Sequence, residues 1–225
     1  FPTISGSGPN SAIIHYKADK KSNRLLRKGD VYLVDSGGQY FYGTTDVTRT
    51  LSLDVYNYKI KNIFTRVLKG HIAVASFKLN KNSHGDKIDQ SARKFLKDIN
   101  LDYPHGTGHG VGYFSNVHEG PQAISRGNKI IFKEGMITSN EPGYYKKNQF
   151  GIRIENLVYV KKTKDKLKFE DLTLVPIDKS LIEKNLLTSF EKDWLNKYHQ
   201  RVFTYLKKFM NKFELVQLKQ SCSNI

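Results

Sequence analysis

Four carboxylates and a histidine-rich loop are the residues of this chain best suited to chemistry. Asp35 closes the apolar run Val31-Tyr32-Leu33-Val34, and Asp46 lies in Gly43-Thr44-Thr45-Asp46-Val47-Thr48-Arg49. Glu141 heads a Glu141-Pro142-Gly143 turn, and Glu155 sits in Ile152-Arg153-Ile154-Glu155-Asn156-Leu157-Val158. Acids embedded in strand-forming apolar sequence are costly to bury unless they are paired or bound to metal. Any one of them alone reads as a strand-end acid facing water, because acids are mostly exposed. Several together, each beside a Gly or Thr turn, are better explained by metal. The stretch Pro104-His105-Gly106-Thr107-Gly108-His109-Gly110-Val111-Gly112 adds two histidines among four glycines. Glycine lets backbone approach closely, so imidazoles can converge where side chains would block them. This spacing matches no standard zinc signature, so a plain surface loop stays open beside a ligand loop. Ionised, Asp35, Asp46, Glu141 and Glu155 carry −4, which two divalent cations balance, with one neutral imidazole completing the set. Carboxylates bridging two metals roughly 3.5–4 Å apart hold a shared water and lower its pKa. A ligand set of mostly oxygen favours a harder ion such as Mn²⁺ over a thiolate-type zinc site.

Elements of two periods must position these groups. Residues 1–16 read as short extended segments around the turn cluster Gly6-Ser7-Gly8-Pro9-Asn10. Val31–Asp35 is a short strand, and Gln39–Leu53 is extended and broken by Gly43. In 57–78, Ile60, Ile63, Phe64, Val67, Leu68, Ile72 and Ala75 recur at helical steps; 86–99 repeats the pattern with Ile88, Ala92, Phe95, Leu96 and Ile99. Residues 101–125 read as loop or short strand. Gly135–Lys162 reads as extended with a turn at Pro142-Gly143, and Leu167–Ile177 as one more strand. A last amphipathic helix is predicted over 188–213, with Phe190, Trp194, Leu195, Tyr198, Val202, Phe203 and Leu206 on one face. Strands, helices, strands, helix make an α+β fold, with helices grouped on one side of a curved antiparallel sheet. A weak repeat runs through it: acid, glycine turn, extended run, acid, first from Asp35 to Asp46 and again from Glu141 to Glu155.

Composition bounds the rest. The 225 residues suffice for one full core, and 13 Tyr and 13 Phe supply bulk. No run of 18 apolar residues occurs, so no membrane partner is expected. The formal net charge is +16, yet the lysines are scattered and no Arg-rich arm or finger spacing is present. A Lys- and Asn-biased solvated surface is therefore favoured over nucleic-acid binding. The single cysteine, Cys222, leaves no internal disulfide and fits a reducing compartment. The abrupt start at Phe1-Pro2-Thr3-Ile4 leads us to expect a chain cut from something longer.

Asp35, Asp46, His109, Glu141 and Glu155 occur in the order of the metal ligands of the pita-bread metallopeptidases, the family of methionine aminopeptidase, prolidase, creatinase and aminopeptidase P. The strings Phe1-Pro2-Thr3-Ile4-Ser5, Ala12-Ile13-Ile14-His15-Tyr16, Asn116-Val117-His118-Glu119-Gly120-Pro121 and Asp193-Trp194-Leu195-Asn196 resemble cytosolic-type aminopeptidase P in particular. The resemblance implies a pita-bread fold with two pseudo-symmetric halves. It implies a catalytic domain over 1–178 whose first strand and helix lie outside this chain, and a helical C-terminal extension over 179–225. The family's N-terminal creatinase-like domains have no counterpart here. It implies hydrolysis of N-terminal Xaa-Pro bonds by a hydroxide bridging two metals, with prolidase as the alternative and an inactive pita-bread binding module behind that. Asp35 would chelate one metal, Asp46 and Glu155 would bridge, and His109 and Glu141 would complete the second, with Glu141 shuttling protons. His118 would hold the substrate carbonyl, His15 and His105 would line the proline pocket, and Tyr145 is a further pocket candidate. Arg153 shares a strand face with Glu155 and is expected behind the ligands, paired with Asp35. Asn140 stands where relatives commonly have aspartate. A homodimer in the cytoplasm completes what the resemblance implies, with a compartment of digestive-vacuole type left open beside it.

Overall fold

The computed structural model describes residues 1–164 and 166–225. Its first half holds β1 (Ile4–Ser7), β2 (Val31–Ser36), a hairpin of β3 (Gln39–Tyr40) and β4 (Gly43–Thr44), and β5 (Val47–Ser52). β1, β2 and β5 form one antiparallel sheet in that order, with Asp35 opposite Thr48. Two helices follow, α1 (Tyr58–Ala75) and α2 (Gly85–Lys97). The short strands β6 (Gly108–His109) and β7 (Ala123–Ile124) then pair. The second half holds β8 (Ile137–Asn140), a hairpin of β9 (Gly143–Lys146) and β10 (Phe150–Arg153), β11 (Asn156–Thr163) and β12 (Lys166–Asp171). Its sheet runs β12–β11–β8, antiparallel throughout. α3 (Ser189–Leu206) and α4 (Lys212–Ser221) close the chain. Among the described residues no helix is long and apolar enough to cross a membrane.

The weak sequence repeat corresponds to a repeated topology. In the first half Asp35 is the penultimate residue of β2, a hairpin follows, and Asp46 leads into β5. In the second, β8 leads to Glu141, a hairpin follows, and Glu155 leads into β11. Each half therefore delivers two acids from the base of its own hairpin. The halves meet along β5 and β10: Thr50 Oγ1 donates to Arg153 O at 3.0 Å, and Glu155 N donates to Thr48 O at 3.1 Å.

Helix α1 turns Ile63, Phe64, Val67, Leu68 and Ile72 into a cluster with Ile152 and Ile154 from the second half. α2 sends Ile88 and Ala92 into a second cluster with Ile124, Val158, Val160 and Phe169. Each fully buried side chain of this size contributes roughly 1.5–3 kcal/mol of transfer free energy. α3 starts at a capping box, Thr188 with Glu191, and Glu191 also binds Lys69 Nζ of α1 at 2.6 Å. Leu195, Tyr198 and Val202 reach the α1 cluster, and Leu218 of α4 and Cys222 just past its end join them. Residues 179–225 thus share a core with the preceding part.

Two local expectations change. The helix predicted over 188–213 ends at Leu206, because Asn211 and Glu214 form a second capping box that starts α4. The chain reverses not at Pro142-Gly143 but at 147–149, where Asn148 takes φ 59° and Gln149 N bonds Lys146 O at 2.9 Å. Most of the α3 face is taken up inside the chain. Phe190 stays 59% exposed, and Trp194 is half-buried, stacked on Tyr198 at 5.4 Å between ring centroids.

Candidate metal centre

The hairpin bases and the glycine-rich loop converge on one cavity of about 290 Å³. Asp35, Asp46, His109, Glu141 and Glu155 all line it, together with His15, His105, His118 and Arg153. His109 Nε2 stands 3.4 Å from Asp46 Oδ2, 3.3 Å from Glu141 Oε1 and 4.0 Å from Glu155 Oε1. Donor atoms of Asp46, His109 and Glu155 all lie within 4.8 Å of one another. His109 Nδ1 lies 2.9 Å from Gly110 O, so a proton held there leaves Nε2 as a lone-pair donor toward the acids. The close seat of this loop depends on glycine: a Cβ at Gly108 would collide with the Ser139 carbonyl. Ser139 ties the two strands together, accepting from His109 N at 2.9 Å and donating to Glu141 Oε1 at 3.0 Å.

Asp35, Glu141 and Glu155 are held in a protein environment that disfavours their charge. Burial pushes the Glu141 carboxyl up to about 7, against the pull of His109 and Arg153. Burial, then the neighbouring acids Glu141, Asp46 and Asp35, raise Glu155 well above its ordinary value. Burial raises Asp35 too, although Arg153 opposes it. Burial alone would make the His109 cation harder to form, but Asp46 and Glu141 outweigh it and raise its pKa. Among the described residues, Asp35 Oδ1 and Asp46 Oδ1 are buried with no hydrogen-bond partner. Crowded acids with orphaned oxygens beside an imidazole lone pair are what divalent cations satisfy, and the donor set fits two hard ions.

Behind the acids lies a layer of buried donors. Arg153, 2% exposed, donates from Nη2 to Asp35 Oδ2 at 2.7 Å, from Nη1 to Tyr145 Oη at 2.7 Å and from Nε to Thr48 Oγ1 at 3.1 Å. Thr48 donates in turn to Glu155 Oε2 at 2.6 Å. Tyr145 does not line the cavity: its hydroxyl is 2.9 Å from His105 Nε2 and held by Arg153, so the phenol sits behind His105 and not in the pocket. Burial lowers the His105 pKa to about 4 and keeps the ring neutral. His118 is exposed, its ring 4.0 Å from that of His109, and its pKa is lowered first by desolvation and then by His109.

Thr48 and Arg49 are the residues sequence reasoning missed. Arg49, 4% exposed, donates from Nη1 to the carbonyls of Thr48 at 2.8 Å and Glu155 at 2.6 Å. Its Nη2 donates to Asn156 Oδ1 at 2.7 Å, Val175 O at 2.7 Å and Tyr198 Oη at 3.1 Å. One side chain thereby joins β5, the Glu155 backbone and helix α3. For Thr48 a signal existed, because it lies two residues from Asp46 and so on the same strand face. For Arg49 none did, since its partners other than Thr48 lie more than a hundred residues away.

Known proteins share this chain's sequence and fold. A family model described as metallopeptidase family M24 matches residues 1–162, and one for the C-terminal region of peptidase M24 matches 165–225. A probable Xaa-Pro aminopeptidase P of Coprinopsis cinerea is 50% identical over 214 residues, covering 90% of this chain and 34% of its own length. One from Laccaria bicolor is 50% identical over 88% of this chain and 33% of its own. The chain therefore spans about a third of the length of these curated relatives. Among solved structures, X-prolyl aminopeptidase from Caenorhabditis elegans, described as a cytosolic enzyme with a di-nuclear active site, is 40% identical with a TM-score of 0.93. It covers 100% of this chain and 38% of its own. Prolidase from Pyrococcus furiosus is 30% identical with a TM-score of 0.69, over 78% of this chain and 49% of its own. The α+β architecture is thus the pita-bread fold, and the chain belongs to metallopeptidase family M24.

Proposed function

We propose that this chain is the catalytic part of a metal-dependent Xaa-Pro aminopeptidase, which removes the N-terminal residue from peptides whose second residue is proline. The observation that carries the reading is the convergence of Asp35, Asp46, His109, Glu141 and Glu155 with His15, His105 and His118 in one cavity. Asp35 would hold one metal, Asp46 and Glu155 would span both, and His109 and Glu141 would complete the second. When bound, such ions lower the pKa of water and polarise the scissile carbonyl. The protein's own part is to orient and to move protons. Glu141, on the cavity wall beside the place of the scissile bond, would take a proton and return it to the leaving amine of proline. His118, exposed at the cavity rim, is placed to donate to the substrate carbonyl oxygen. Neutral His105, braced by Tyr145, and His15 line the cavity and would enclose a proline ring.

Mn²⁺ is the proposed ion, because the ligand set is oxygen-rich with one imidazole. Identity of 50% to a probable Xaa-Pro aminopeptidase P, against 30% to a prolidase, favours aminopeptidase over dipeptidase specificity. The retained ligand set speaks against an inactive binding module. The cytosolic description of the Caenorhabditis elegans enzyme supports a cytoplasmic location. We further propose a homodimer; the exposed Phe190 and half-buried Trp194 supply an unspent apolar surface on α3. The deciding assay incubates the full-length protein with Xaa-Pro-Xaa tripeptides and Xaa-Pro dipeptides, with chelator and with added Mn²⁺. Mn²⁺-dependent release of the first residue from the tripeptide is expected. Cleavage of dipeptides alone would make it a prolidase, and no cleavage of either would end the reading. Light scattering tests the dimer, and a monomer at micromolar concentration would exclude it.

A further inference from the structure

Five aromatic side chains stand out at the rim of the site, and nothing in the reading above uses them. Tyr40, Phe41 and Tyr42 form the tip of the β3–β4 hairpin, 60%, 77% and 94% exposed. Tyr113 and Phe114, on the loop after the histidine-rich segment, are 72% and 56% exposed. The Phe41 and Phe114 rings stack across the gap, 5.4 Å between centroids and 17° between planes. Gln39 Nε2 donates to Ser115 O at 2.8 Å and straps the hairpin to the loop.

Local chemistry runs against this arrangement. A two-residue hairpin tip prefers Asn-Gly or Asp-Gly, not two bulky aromatics. Phe114 adopts φ 51°, a left-handed conformation uncommon for a bulky residue. Exposed apolar surface held at a local conformational cost marks a binding surface. Its position says which one. The hairpin is inserted between Asp35 and Asp46, and the loop between His109 and His118. A cavity of about 500 Å³ lies between hairpin and loop and shares Phe1, Val117 and His118 with the metal-site cavity. One cleft therefore leads from the metal centre past His118 to the hairpin–loop strap.

From this we infer that the aromatic strip is a substrate subsite that grips apolar side chains, aromatic above all, on the residues after the proline of the substrate. This rests on the aminopeptidase reading. Only one residue precedes the bond an aminopeptidase cuts, so a surface beyond the cavity wall can meet only the departing peptide. An extended peptide advances roughly 3.3 Å per residue, so its third to fifth residues can reach past the cavity. The π faces of the strip suit aromatic side chains by stacking.

The test compares kcat/KM of the full-length, Mn²⁺-loaded protein on Ala-Pro-Phe-Phe-Gly and Ala-Pro-Gly-Gly-Gly. The aromatic peptide is expected to be favoured about tenfold, mainly through KM, as two aromatic contacts allow. The double variant Phe41→Ser, Phe114→Ser, both exposed positions, should bring the ratio to within about twofold of unity. Equal rates for the wild type on both peptides, or an undiminished ratio in the variant, would overturn the subsite while leaving the aminopeptidase standing. Equal losses on both peptides would also overturn it, because a strip that docks the rest of the protein would act that way. Failure to cleave either peptide would instead bring down the parent reading, and this one with it.

Discussion

Replacing Arg153 by methionine isolates what holds the metal-free centre together. The guanidinium is the one cation in direct contact with Asp35 among the described residues, and it is 2% exposed. Methionine keeps most of the side-chain volume and removes three hydrogen bonds, to Asp35, Tyr145 and Thr48. Breaking a buried ion pair by deleting one partner costs roughly 3–5 kcal/mol, because the other charge is left uncompensated. For a domain of this size, about 2–4 °C of Tm follows each kcal/mol, so the chelated variant should melt roughly 6–20 °C below wild type. The orphaned Asp35 can escape by taking a proton. Its pKa is already raised by burial, so the deficit should shrink as the pH falls from 7.5 to 5. Adding Asp35→Asn to Arg153→Met should recover much of the lost stability in chelator, because the unpaired charge is gone. Thermal melts of the four proteins in a double-mutant cycle read this directly. If the single variant melts within about 2 °C of wild type in chelator, or the double variant is no more stable than Arg153→Met, the ion pair does not carry the apo site.

Three further outcomes follow from the same geometry. Thr48→Val removes the 2.6 Å bond to Glu155 and should weaken Mn²⁺ binding roughly 10–100-fold by calorimetry, whereas unchanged affinity would show that Glu155 is oriented without it. His118→Ala should lower kcat roughly 10²–10³-fold, and since the ring is exposed the Tm should stay near wild type; matched losses of activity and stability would make it structural. His199, whose Nε2 accepts from Ile177 N at 3.1 Å, has its pKa lowered to about 4 by burial and then by Lys179 and Arg49. The unfolded chain therefore binds the extra proton between pH 6.5 and about 4, and stability present above 6.5 should fall across that window by roughly 3 kcal/mol, a slope that His199→Gln should flatten in denaturant melts.

Local pattern carried the main elements. The 3.6-residue recurrence of Ile60, Ile63, Phe64, Val67 and Leu68 defines α1, because one buried face leaves a period in the sequence, and the short apolar run Val31–Val34 before Asp35 marks β2. The repeat of acid, hairpin and acid also survives in the chain, since each half must solve the same problem of presenting two carboxylates from a hairpin base. Residue type drew attention to the acids and the histidine-rich loop, because few side chains can hold a hard cation, and the family resemblance singled out His109 within that loop. The break between α3 and α4 was missed although Asn211 and Glu214 spell a capping box, since the apolar period continues through it.

Tertiary structure alone decided what stands behind and around those residues. Nothing local says that Thr48 bonds Glu155, that Arg49 joins its carbonyl to helix α3, or that Tyr145 braces His105 from behind instead of lining the pocket. Nor does local sequence reveal that Phe41 and Phe114 meet in one exposed stack. Periodicity reports which face of an element is buried. It carries no information on which distant element covers that face, and a hydrogen bond or ring contact depends on just that pairing.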